Sequence, residues 1–145
     1  MTQEQVRRNL DFAQYLRNPD LKQARKRLRS NDDPDAKCCL GHACDFSAKH
    51  GLDGSWQKKF EGSLDETWVY LCKGEEDDQN APAPVSNWFG WNGNNPESPI
   101  PVEYYEHPSV LSVAELNDNV KLELPQIADH FEAIAKKGQE NQDAQ

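Results

Sequence analysis

The chain has 145 residues, a formal net charge of −9, a hydrophobic fraction of 36% and a charged fraction of 28%. That length suits one domain around one modest core, and no apolar run approaches the roughly 20 residues of a membrane-crossing helix. The opening Met1-Thr2-Gln3-Glu4-Gln5 lacks the charged-then-apolar layout of a secretory signal, so the chain is expected to stay in the cytoplasm.

Charge is unevenly spread. Residues 1–30 hold eight Lys/Arg against three acids, and the remainder holds eight against 22. Such polarity steers a charged partner without naming it. The strongly acidic remainder makes general nucleic-acid binding an unfavourable reading.

In chain order, residues 2–17 are predicted as a helix: Thr2 with Gln5 is a capping-box pattern, and Val6, Leu10, Ala13 and Leu16 or Arg17 form one apolar stripe. Asn18-Pro19 ends it. Residues 21–29 suit a short helix or an extended segment, and residues 30–35 a turn. Residues 38–50 are predicted as a buried helix stopped by Gly51, with Gly41 inside it for close backbone packing. Thr67–Cys72 is the best strand. Residues 73–84 and 92–108 are predicted as long loops, separated by a helical turn over 84–90. Ser112 with Glu115 opens a short helix ending at 117–119. Pro125 opens a final amphipathic helix whose stripe is Ile127, Phe131 and Ile134. Residues 138–145 are predicted as a disordered tail, leaving 1–137 as a single globular domain.

Four cysteines, Cys38, Cys39, Cys44 and Cys72, are expected to be free thiols, since three fall within seven positions and no export signal is seen. The cluster Cys38-Cys39-Leu40-Gly41-His42-Ala43-Cys44-Asp45 admits three readings. Cys38, His42, Cys44 and Cys72 could hold zinc, although no CxxC pair is present. Cys38 or Cys39, at a helix N-terminus, could be a nucleophile served by His42, His50, His107 or His130. The reading the residues favour is small side chains packing a buried helix.

Lys22 to Arg29 could contact phosphate, against the plainer reading of a solvated basic face. Trp88, Phe89 and Trp91 beside Asn92, Asn94 and Asn95 could line a pocket for a planar or sugar ligand, against the plainer reading of core anchors. Asn117-Asp118 is most simply a helix stop. Arg25, Arg29, Trp88, Trp91, Asn117 and Asp118 are carried as ligand-binding candidates.

Lys22-Gln23-x-Arg25-x-x-Leu28-Arg29, Cys38-Cys39-Leu40-Gly41-x-x-Cys44-Asp45, a Val85/Trp88 segment, Leu116-Asn117-Asp118 and Phe131-x-x-Ile134 follow one another in that order. This order resembles an uncharacterised family of small proteins encoded by tailed phages and prophages, over about residues 5–135. The resemblance implies a viral or prophage setting in a bacterial host and no mechanism. Relatives tend to carry an aliphatic residue in place of His42 and glycine in place of Lys26. The first difference counts against His42 as a shared ligand or base.

The expected fold is α+β, with four or five helices packed on a small antiparallel sheet. The expected function is that of a non-enzymatic accessory protein binding a host protein or small molecule, with counter-defence as one form, no cofactor and no membrane. The alternatives are a cysteine-dependent hydrolase or transferase using Cys38, Cys39 and His42, and a zinc-stabilised interaction module.

Overall fold

Helix α1 (Gln3–Leu16) starts on a complete capping box: the Gln5 N–H donates to the Thr2 hydroxyl at 3.1 Å, and the Thr2 N–H donates to the Gln5 side chain at 2.8 Å. The computed structural model in which this is seen describes residues 1–60 and 65–143. The inward face of α1 is Val6, Asn9, Phe12, Ala13 and Leu16, and Leu10 is turned outward. Asn9 takes the inward place because its amide is used there. It donates to the Phe89 carbonyl at 2.9 Å and accepts from the Trp91 indole at 2.7 Å.

The other helices are α2 (Cys39–Lys49), α3 (Ala83–Phe89), α4 (Val113–Asp118) and α5 (Leu124–Asp143). Phe12 sits where four of the five meet: its ring centre lies 4.9 Å from Phe131 of α5 and 5.4 Å from both Phe46 of α2 and Phe89 of α3. Offset and edge-on aromatic packing of this kind carries much of a small core. Arg17 ties α1 to α5 from outside through a fork to Glu132 at 2.5 Å and Asp129 at 2.7 Å.

Three strands, β3 (Ser55–Phe60), β4 (Glu66–Cys72) and β5 (Glu75–Asp77), form an antiparallel sheet in the order β3-β4-β5, with Trp56 opposite Tyr70 and Lys58 opposite Trp68. A two-residue parallel pair joins β1 (Lys22–Gln23) to β2 (Ala36–Lys37), and an antiparallel hairpin joins β6 (Val102–Tyr104) to β7 (His107–Ser109). The fold is α+β, five helices with small sheets.

Several boundaries differ from expectation. Residues 21–29, for which helix and extended chain were both open, are not helical: Lys22–Gln23 pair with β2, and the backbone at Ala24 and Lys26 bonds to the side chains of Asn117 and Asp118. β5 interrupts the stretch read as a loop over 73–84, and the β6–β7 hairpin interrupts 92–108. β3 carried no expectation at all. α5 continues to Asp143 instead of giving way to a tail at Gly138. Gly138 is a close-approach residue there: a Cβ would overlap the Met1 sulfur packed against it. Residues 144–145 of the expected tail lie outside the described residues.

Candidate functional site

The residues that looked most chemical in the sequence meet at one place, between the start of α2 and the end of α4. Asn117, fully buried, is its centre. Its side-chain oxygen accepts from Gln23 Nε2 at 2.8 Å and from the Cys39 N–H at 3.3 Å, and its amide donates to the Ala24 carbonyl at 2.9 Å. Arg25 donates to the carbonyls of Asn117, Lys121 and Leu122, capping the end of α4. Asp118 accepts from the Lys26 N–H at 2.7 Å and from the Asn117 amide at 2.8 Å.

Two backbone features complete this clasp. Lys26 has φ +69, the left-handed region in which glycine is at ease. Gly41 lies against residue 28, where any Cβ would collide with the Leu28 carbonyl. That carbonyl accepts from the Cys38 N–H at 3.2 Å, so the segment cannot move away without losing the bond.

Cys38 is the N-cap of α2, its sulfur accepting from the Gly41 N–H at 3.4 Å. The Cys39 thiol donates to the Val113 carbonyl at 3.7 Å and the Cys72 thiol to the Asp53 carbonyl at 3.2 Å. All four cysteines are buried and unbridged. Burial pushes the Cys38 thiol up to about 12, despite the backbone N–H groups that favour its thiolate. Burial likewise holds Cys39 and Cys44 well above the usual thiol range. These are the conditions of inert thiols.

His42 turns its Nε2–H to the Lys22 carbonyl at 2.8 Å. Its Nδ1 is buried without a hydrogen-bond partner among the described residues. Burial lowers its pKa, and the Lys22 carbonyl offsets part of that. His42 borders a cleft of about 300 Å³ between Tyr15, Lys37, Asp45 and Lys49. Among the described residues no group of three or more His, Cys, Asp or Glu side chains is placed to hold a metal ion, so Cys38, His42, Cys44 and Cys72 are not drawn together.

The remaining candidates are separate. Arg29 donates to the Pro34 carbonyl at 2.6 Å, with its guanidinium 4.0 Å from the Trp68 ring centre and 5.4 Å from that of Trp56. Trp88 packs under the Arg8 guanidinium at 4.2 Å. Trp91 stacks on Phe89 with centres 4.4 Å apart, and with Asn92 and Asn95 it borders a cleft of about 580 Å³ closed by Glu97 and Lys137. A groove of about 1020 Å³ runs past Arg25, Arg27 and Lys58 on one side of the charge balance and Asp32, Asp33 and Glu66 on the other. That mixture gives it no single sign for a ligand.

A further feature lies largely within the stretch read as a long loop over 92–108. The arm over residues 96–110 is rooted by the Ser98 N–H on the Leu111 carbonyl at 2.9 Å, the Val113 N–H on the Pro96 carbonyl at 2.9 Å and the buried Ser98 hydroxyl on His130 Nδ1 at 2.5 Å. Beyond that root it exposes Ile100 at 41%, Tyr105 at 80% and Val110 at 52%, three of the chain's five large hydrophobic residues exposed among those described. The hairpin turns on two residues, Tyr105 and Glu106, at φ +51 and +65. A turn with both φ positive normally takes Asn-Gly, so the tip carries strain to present a tyrosine. The arm holds Glu97, Glu103 and Glu106 and no Lys or Arg.

Among the described residues no helix is long and apolar enough to cross a membrane. No curated protein and no solved structure gives a significant match to the chain. A family model described as "Domain of unknown function (DUF8296)" matches residues 4–135, nearly the whole length, and the chain belongs to that family.

Proposed function

We propose that the protein is a non-enzymatic binding protein that docks another protein through the acidic arm at 96–110. The observation that carries this reading is Tyr105, 80% exposed on a turn that has neither glycine nor asparagine to ease it. Strain of order 1 kcal/mol or more per residue is kept where the surrounding structure fixes it, commonly at functional positions. The flanking Glu103 and Glu106 select a partner cleft with an apolar floor and a basic rim. Pro108 in β7 has no N–H to offer a strand added along that edge, which favours contact through the side chains of the tip.

Two further observations weigh against the alternatives. Burial raises the pKa of all four thiols, and the polar atoms of Arg25, Asn117 and Asp118 are engaged inside the clasp. The order of motifs supports a phage or prophage setting, in which the partner is a host protein and blunting of host defence is one outcome.

The test is a photoreactive phenylalanine placed at Tyr105, with matched controls at the exposed Leu10 and Phe60, in cells that express the protein. A discrete adduct at 105 that is missing at 10 and 60, and lost when Glu103→Lys and Glu106→Lys are added, is the expected result. No adduct, or the same adducts at all three positions, overturns the reading.

A further inference from the structure

Outside the arm and the clasp, the loop that follows α3 holds a chemically reactive pair. Asn92-Gly93 is the single Asn-Gly step in the sequence. Both residues are exposed. The Asn92 side chain makes no hydrogen bond among the described residues, and the Gly93 N–H likewise donates to no acceptor there. Gly93 has φ +96, and no atom lies within 4 Å of where a Cβ would stand. The Ser86 hydroxyl donates to the Gly93 carbonyl at 2.7 Å, which holds the peptide that follows Gly93 and leaves the Asn92–Gly93 peptide itself without a hydrogen bond at its nitrogen.

We infer that Asn92 is a site of spontaneous deamidation in the folded protein, with water as the only co-reactant. The Gly93 amide nitrogen, having lost its proton to solvent base, attacks Cγ of Asn92. A new bond between that nitrogen and Cγ closes a five-membered imide. The bond from Cγ to Nδ2 breaks, and Nδ2 departs as ammonia. Water then adds to either imide carbonyl and one ring bond to nitrogen opens, giving aspartate or isoaspartate. No electron is gained or lost overall: one amide and one water become one carboxylic acid and one ammonia.

Three physical conditions favour the step. Glycine leaves the attacking nitrogen unshielded. Neither the nucleophile nor the electrophile must break a hydrogen bond within the protein to react. The loop's open space lets the backbone take the angles that ring closure needs. Asn9 and Asn117 fail these conditions, being buried and multiply hydrogen-bonded. Either product puts a carboxylate into the cleft that Asn92 shares with Glu97 and Lys137, and isoaspartate also adds a backbone carbon next to the buried Trp91.

The experiment incubates the full-length folded protein and, separately, a synthetic peptide spanning Ser86–Ser98 at mildly alkaline pH. Peptide mapping by mass spectrometry follows NH₂-to-OH exchange at each asparagine, and an isoaspartyl methyltransferase assay reads the rearranged product. Conversion is expected at Asn92 ahead of every other asparagine, at a rate within about threefold of the peptide's and rising with pH. The Asn92→Gln variant is expected to lose the signal while keeping the fold's circular dichroism. A folded-state rate more than about tenfold below the peptide's, a difference in barrier of about 1.4 kcal/mol, would mean that the fold shields the pair and would overturn the inference. Earlier conversion at another asparagine would overturn it too.

Discussion

The clasp and the arm are opposites. In the clasp, the side chains of Gln23, Arg25, Asn117 and Asp118 point into the protein and each finds a partner there. In the arm, Ile100, Tyr105 and Val110 point away from it, on a hairpin whose turn is strained. The residues that look chemical are spent on holding the chain together, and those left free to meet something else lie where the sequence reads as loop. A buried polar network is valuable to a fold only when complete. Exposed apolar surface, conversely, is valuable to a partner only where the fold does not need it.

Substitution tests this contrast, beginning with the largest expected effect. Gly41→Ala drives a methyl group into the Leu28 carbonyl, and it is expected to cost about 3 kcal/mol or more in urea unfolding. Asn117→Ala strands the Cys39 N–H, Gln23 and the Ala24 carbonyl, and it is expected to cost about 3 kcal/mol. A cost below about 1 kcal/mol for either would dissolve the clasp as described.

The third test uses acid. Burial lowers the pKa of both His42 and His130. Below about pH 6.5 the unfolded protein therefore takes up protons that the folded protein refuses. Stability is full above that pH and falls as pH drops from it toward the folded values. Urea midpoints read between about pH 8 and pH 5 are expected to show this, and His42→Leu is expected to flatten part of the slope.

The fourth test separates stability from binding. Tyr105→Asn with Glu106→Gly installs the turn the backbone asks for, so stability is expected to rise by about 1 kcal/mol while co-purification of the partner first identified by the probe at position 105 is lost. If the double variant still binds the partner, the arm is not the docking surface. The smallest effect belongs to Lys26→Gly. Relief of the left-handed residue is expected to outweigh glycine's greater freedom in the unfolded state by under about 1 kcal/mol.

Much of the fold was legible because its elements announce themselves locally. The Thr2–Gln5 box, the β-branched and aromatic run into Cys72, the left-handed stop at Gly51 and the Ser112 cap each need only a few neighbouring residues to be read. The 21–29 segment was ambiguous because its partners are near residue 117, far beyond any local window. β3 was invisible because Ser55–Phe60 is mostly polar and exposed, with little alternation to mark it. The hairpin was invisible because its turn lacks the residues by which such turns are recognised.

The residues of the clasp stand out in the sequence, but the kind of work they do does not. Glycine at 41, paired thiols and Asn-Asp at a helix end fit a ligand site and a tight packing junction equally well. Solvent access decides between the two, and access is a property of the whole fold. Tyr105 went unmarked because a tyrosine in a loop is ordinary until its backbone angles are known.

The bonds from Gln23 and Arg25 reach residues 92 to 99 positions downstream. They fasten the first quarter of the protein to its last third across the root of the arm. A single peptide-bond cut at the hairpin tip therefore severs connectivity without severing the body: the piece bearing α1 through α3 and the piece bearing α4 and α5 remain cross-tied by the clasp and by the Phe12–Phe131 contact. The two pieces, expressed separately, are expected to reunite without a covalent link and to co-purify as one complex.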